Sequence, residues 1–187
     1  MQISVPHNWQ GDLLDALDLS CVGDFYGKLE SDMIGGGRAS NISVPVGRKT
    51  VADEIRRIHA RGLRFTYLLN ATCLDNRELT PRMQHELARL VDWLTEIGVD
   101  GVTVSLPFMF DYVRKRAPHL SLTVSTMSHV STPDKARFWE GLGAQRITLD
   151  EVMVNRDFRR IEAIRAAVRC KLQVIVNNGC LCACPFT

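Results

Sequence analysis

Thr80-Pro81 and Thr132-Pro133 each stand at the head of an amphipathic run that closes on a glycine before a short β-rich segment. Threonine is a good N-cap. Proline is tolerated at the first helical position, because the N–H it lacks would have no intrahelical partner there. After Pro81, the residues Met83, Leu87, Leu90, Val91, Leu94 and Ile97 recur at helical spacing, with Gly98 able to end the helix. After Pro133, Ala136, Phe138, Trp139 and Leu142 do the same before Gly143. Further helices are predicted from Pro107 through Val113, on Phe158, Ile161, Ile164, Ala167 and Val168, and on Val51, Ile55 and Ile58 before Gly62. Strands are predicted at 63–69, 99–105, 120–125, 145–149 and 171–176, with weaker ones at 3–5 and 22–26.

Such alternation restricts the chain to repeated strand–helix–strand units with parallel strands. The apolar run 99–105 suits a strand buried on both faces. These units either close into a barrel or open into a doubly wound sheet. A full (β/α)₈ barrel takes roughly 250 residues. This chain has 187 and stops soon after its last predicted strand. The expected fold is therefore α/β, a TIM-like (β/α) barrel incomplete at its C-terminus, with residues 1–187 as a single domain truncated after the seventh strand. A flavodoxin-like or Rossmann sheet is the alternative, and strand order separates the two.

Composition narrows the partners. The chain is 45% hydrophobic and 24% charged, which is ordinary globular usage. Its net charge of +2, from 23 basic and 21 acidic residues, makes no general case for nucleic-acid binding. No apolar run approaches the roughly 20 residues of a membrane span. The opening Met1-Gln2-Ile3-Ser4-Val5-Pro6-His7 has no basic segment followed by an apolar core. A cytoplasmic protein is expected.

Active sites of parallel α/β folds form at the C-terminal ends of strands. Those ends fall at Tyr26-Gly27, Asn70, Ser105-Leu106-Pro107, Ser125-Thr126, Asp150-Glu151 and Asn177-Asn178-Gly179-Cys180. Among the histidines, His129 alone follows a strand end, while His59 and His85 fall within helices as structural or solvent-facing residues. No hydrolase signature of the G-x-S-x-G or H-E-x-x-H kind occurs. Consecutive glycines at Gly35, Gly36 and Gly37 let backbone N–H groups approach an anion, and Arg38 can pair with a carboxylate or phosphate. A flexible surface loop would read the same way. Cys180, Cys182 and Cys184 alternate, so an extended backbone would turn all three thiols to one side. Thiolates are soft ligands that favour iron–sulfur clusters, zinc or copper(I). A reactive or incidental thiol cluster is the competing reading.

In combination these pieces resemble the collagenase-like peptidase family, family U-thirty-two. The resemblance runs through Tyr26-Gly27, Ile34-Gly35-Gly36-Gly37-Arg38, Phe65-Thr66-Tyr67-Leu68-Leu69-Asn70 and Gly98-Val99-Asp100-Gly101-Val102. It continues through Ser105-Leu106-Pro107, Val124-Ser125-Thr126, Leu142-Gly143-Ala144 and Val176-Asn177-Asn178-Gly179-Cys180-Leu181, ending in Cys184-Pro185.

It implies a TIM-type barrel and a 4Fe-4S cluster held by four cysteines, with Cys180 and Cys184 matching the family's first two. Cys182 falls where the family has no ligand; by the local count of three cysteines alone, the fourth ligand would be Cys170, another distant residue or one missing downstream. The ligand set here is incomplete. The resemblance further implies oxygen-independent hydroxylation, or another modification, of an RNA or quinone-type substrate. A protease or hydrolase is the alternative, and a non-catalytic partner of a homologous chain is a third. No catalytic residue is singled out; the candidates are His129, Asn70 and Ser125. Gly36, Gly37, Arg38, Tyr26 and Asn177 are expected to bind substrate, and Cys180, Cys184 and Cys182 to bind metal. An uncovered strand edge would favour self-association or a homologous partner chain.

Overall fold

The computed structural model describes residues 2–35 and 45–177. Its contacts divide the chain into two compact units, Met1–Ser121 and Leu122–Thr187.

The first unit holds β1 (Ile3–Pro6), α1 (Leu13–Ala16), β2 (Val22–Gly27), α2 (Arg48–His59), β3 (Arg64–Leu69), α3 (Pro81–Glu96), β4 (Gly101–Val104) and α4 (Pro107–Arg116). Each strand pairs in parallel with the next in sequence, β1 with β2, β2 with β3, and β3 with β4. That sequential order differs from a doubly wound sheet, in which the first strand lies inside the sheet between later ones.

Register sorts the side chains by chemistry. Phe25 is level with Phe65, Tyr67 with Gly27 and Val102, and Leu69 with Val104. This apolar face is covered by helices: Trp93 of α3 meets the Tyr67 ring edge-on at 6.1 Å. Val51, Ile55 and Ile58 of α2 are fully buried, as their i, i+3, i+4 spacing requires. Alternate residues turn to the opposite face, where Tyr26, Thr66 and Gly101 are level, as are Leu68 and Thr103.

In the second unit, β5 (Ser121–Val124), α5 (Pro133–Gly141), β6 (Arg146–Thr148), α6 (Phe158–Ala167) and β7 (Lys171–Gln173) repeat the scheme with parallel ladders. Val124, Ile147 and Leu172 share one face, and Thr123, Arg146 and Lys171 the other.

The expected helix starts are where the sequence puts them. Thr80 Oγ1 accepts the Met83 N–H at 3.3 Å, and Thr132 Oγ1 accepts the Lys135 N–H at 3.3 Å. Gly98 and Gly143 close α3 and α5 in left-handed conformation, φ +81° and +105°. Two expectations need correction. The last strand ends at Gln173, not 176, because its register mate Thr148 is the final residue of β6; beyond it Val176 is exposed. The sequence reading also passes over α1, which at four residues is too short to display a helical period. Among the described residues no helix is long and apolar enough to cross a membrane.

Two glycines have opposite surroundings. A Cβ on Gly101 would lie 2.6 Å from the Ser121 carbonyl oxygen, whereas a Cβ on Gly141, in the last turn of α5, would meet nothing within 4 Å. Gly101→Ala is expected to destabilise the chain by about 1–3 kcal/mol through overpacking. Gly141→Ala should stabilise it by about 0.4–1 kcal/mol through a less disordered unfolded chain. Urea unfolding of the two variants checks the opposite signs.

Candidate functional site

Parallel pairing brings all the C-terminal strand ends of a unit to one edge. In the first unit the polar residues just past those ends are His7, Lys28, Asn70 and Ser105, and all four are buried. The Ser105 hydroxyl donates to the Asn70 carbonyl at 2.9 Å, joining the ends of β3 and β4. His7 turns toward the helix side. Its Nδ1 accepts the Trp9 N–H at 3.0 Å, its ring stands edge-on to Phe25, and its Nε2 faces Glu54 Oε2 of α2 at 3.6 Å.

Lys28 and Asp32 form a buried ion pair at 3.2 Å, with side chains 3% and 4% exposed. The Lys28 ammonium also donates to the Gly35 carbonyl at 2.7 Å. Asp32 Oδ1 accepts the Ile34 and Gly35 N–H groups, both at 3.0 Å, and its Oδ2 accepts the Tyr67 hydroxyl at 2.8 Å. The Tyr67 oxygen in turn accepts the Leu29 N–H at 3.1 Å. Burial, reinforced by the Asp32 charge, pushes the Tyr67 phenol well above its ordinary range, so it remains a donor. The cluster fastens segment 28–35 to the end of β3.

The second unit carries a histidine–carboxylate pair. His129 Nδ1 lies 3.0 Å from Asp150 Oδ2; the imidazole is 68% exposed and the carboxylate 5%. Asp150 Oδ1 accepts the Val152 and Met153 N–H groups at 2.9 and 2.8 Å. Burial works against ionisation of this carboxyl, but the Met153 N–H, His129 and the Val152 N–H outweigh it and hold it below the ordinary carboxylate range. Beside the pair, the Thr126 hydroxyl donates to the Leu149 carbonyl at 3.0 Å and also contacts Glu151. Ser125 is buried, its Oγ accepting the Met127 N–H at 3.2 Å.

Of the expected site residues, Asn70 meets Ser105, and His129 meets Asp150. Tyr26 is half-buried within β2, and Asn177 is exposed beyond β7. Gly36, Gly37, Arg38, Cys180, Cys182 and Cys184 lie outside the described residues. Sequence reasoning missed His7, Lys28, Asp32 and Tyr67. Lys28 directly follows the strand end Tyr26-Gly27 and could have been found there; the contact of Asp32 with Tyr67 spans 35 positions and leaves no local trace. Among the described residues no group of three or more His, Cys, Asp or Glu is placed to hold a metal ion. Cys21 and Cys73 are exposed. Burial, with the neighbouring Glu140 carboxylate, pushes the Cys170 thiol up to about 11.

The sequence matches the model of peptidase family U32 over residues 38–184. The chain belongs to peptidase family U32. It is 33% identical over 155 residues to an uncharacterized protease, MJ1657, of Methanocaldococcus jannaschii, covering 83% of this chain. This U32 chain spans 45% of that relative's length. The solved structure of the U32 peptidase Mk0906 superposes with a TM-score of 0.75 at 25% identity, over 93% of this chain and 68% of that one.

Two outcomes follow for this U32 chain. Asp32→Ala leaves Lys28 buried without its carboxylate and is expected to cost about 3–5 kcal/mol. The double replacement Lys28→Met with Asp32→Leu should cost less than Asp32→Ala alone, as denaturant unfolding will reveal. The depressed Asp150 carboxyl contributes stability above its unfolded value, near 3.8, and loses it as pH falls through that value to the folded one. The advantage of the native chain over Asp150→Asn, measured by thermal unfolding, should therefore be full near neutrality and shrink below about pH 4.

Proposed function

We propose that this chain is the first part of a TIM-like (β/α) barrel enzyme that works at the C-terminal ends of its strands. In the whole protein a 4Fe-4S cluster would serve the oxygen-independent hydroxylation of an organic, quinone-type or RNA substrate. The observation that carries this reading is the cysteine run. β7 runs parallel to β6, so the chain leaves Gln173 at the strand end where Asp150 lies, and the sequence continues to Cys180, Cys182 and Cys184. Cysteine thiolates are soft ligands and the usual holders of iron–sulfur clusters. Cys180 and Cys184 would be ligands, with Cys182 a further candidate, and the remaining ligands would come from elsewhere in the whole protein or from a homologous partner chain. When bound, such a cluster supplies one-electron transfer. Gly36, Gly37 and Arg38 would hold an anionic part of the substrate, and Tyr26 and Asn177 are further candidates for binding it.

A second reading is peptide hydrolysis. It is favoured by the protease and peptidase names of the relatives and by the His129–Asp150 pair, since a held imidazole can take a proton from attacking water.

Anaerobic purification of the whole gene product separates the two. The first reading expects a coloured protein with iron and sulfide, and loss of nearly all bound iron in Cys180→Ala and Cys184→Ala. A colourless, iron-free protein that cleaves peptides at full rate would replace it with the second.

A further inference from the structure

Among the described residues, His59 and His129 each have a ring nitrogen within 3.0 Å of a carboxylate oxygen, closer than the 3.6 Å between His7 and Glu54, and the two sit at opposite ends of their strands. His59 Nε2 lies 2.8 Å from Asp100 Oδ2, whose carboxylate also accepts the Phe65 N–H at 2.7 Å. Asp100 immediately precedes β4 and His59 ends α2, so this pair stands at the N-terminal strand ends, the end that serves stability in such folds. His129 and Asp150 instead follow β5 and β6 at their C-terminal ends. There the backbone of His129 is left-handed, φ 50° and ψ 50°, a conformation uncommon for a residue with a side chain. Its N–H donates to the Thr126 carbonyl at 2.8 Å and its carbonyl accepts the Lys135 ammonium at 2.9 Å, so it is held from both sides. Strained residues held in this way recur at active sites.

From this geometry we infer that His129 is the proton-accepting base of the strand-end site, with Asp150 as the residue that positions it. The inference rests on the reading that the strand ends form the active site, and not on the cluster. Both Asp150 oxygens are committed, Oδ1 to two backbone N–H groups and Oδ2 to the ring. A carboxylate can only accept, so the ring proton sits on Nδ1 and the Nε2 lone pair is turned outward. The charged groups facing the ring or its backbone are Asp150 and Lys135, while Glu151 is engaged with Thr126. In the step assigned to His129, Nε2 bonds the proton of a water or hydroxyl O–H, and the electron pair of that O–H bond stays on the oxygen. The oxygen then bonds an acyl carbon while the leaving group departs with the electrons of its own bond. The imidazolium, balanced by Asp150, returns the proton to the leaving group or to solvent.

The test uses the intact gene product, with p-nitrophenyl acetate as the acyl probe and nitrogen-15 NMR of the histidine rings. The ring of His129 is expected with its proton on Nδ1 and a bare Nε2, a signature that Asp150→Asn removes. His129→Gln should lower hydrolysis of the probe on the order of a hundredfold, and Asp150→Asn at least about tenfold. His59→Gln should leave the rate unchanged. If Asp150→Asn does not fold, His129→Gln decides, because it leaves the Asp150 bonds to Val152 and Met153 in place. A wild-type His129 protonated on Nε2, or a His129→Gln rate within about twofold of wild type, would overturn the inference. Iron bound beside an inert His129 would refute this inference alone, whereas an active His129 in an iron-free protein would refute only the cluster.

Discussion

Two strands paired in parallel cannot be joined by a tight turn, so the chain must travel back along the sheet before the next strand begins. In each unit of this protein the return is made by a helix laid on one sheet face, with α1 too short for that role between β1 and β2. Everything else is arranged around this requirement. The covered face is built from Phe25, Phe65, Tyr67 and Val104, all fully buried, as are the helix residues Ile55 and Leu87. Each fully buried side chain of this size is worth roughly 1.5–3 kcal/mol. Within each unit the opposite face is released from that duty; it carries Thr66 and Thr103 in the first, and Thr123, Arg146 and Lys171 in the second. The strand ends, free of both duties, collect the polar residues with specific partners.

At two of those ends the same local device recurs. Asp32 and Asp150 each use Oδ1 to accept the N–H groups two and three residues onward, Ile34 with Gly35 and Val152 with Met153. Aspartate favours such turns because its side chain can replace a backbone acceptor. Each then spends Oδ2 on a ring from another element, Tyr67 or His129. What differs is solvent. The Tyr67 hydroxyl is sealed and accepts the Leu29 N–H, so the device locks a loop. The His129 ring is open, so the same device presents a nitrogen.

The fold was largely legible because its signals are local. Thr80 and Thr132 cap the helices that their Thr-Pro pairs announce, and the apolar spacing in α3 matches its buried residues Met83, Leu87, Leu90, Val91 and Leu94. The rim was legible as positions: Asn70, Ser105, Ser125 and Asp150 follow strands, and strands end where the β-rich runs end. Partnerships were not. His129 is 21 residues from Asp150 and Asp32 is 35 from Tyr67, relations set by register and not by spacing. The length of β7 was misjudged for the same reason, since the apolar run Val174-Ile175-Val176 promises a strand that its neighbour β6 is too short to pair.

Glu140, at the end of α5, accepts the N–H groups of Arg169 and Cys170 at 2.6 and 2.7 Å, tying the start of β7 to the helix before it. Burial, reinforced by the same carboxylate, keeps the Cys170 thiol protonated. Thiol–disulfide exchange proceeds through the thiolate, so burial and this contact together make Cys170 a poor partner in exchange at neutral pH. A hydrogen bond that fixes backbone thus doubles as insulation against oxidation. In an oxidant, exposed Cys21 and Cys73 would react before Cys170, and the fastening of β7 would outlast the redox state of the rest of the surface.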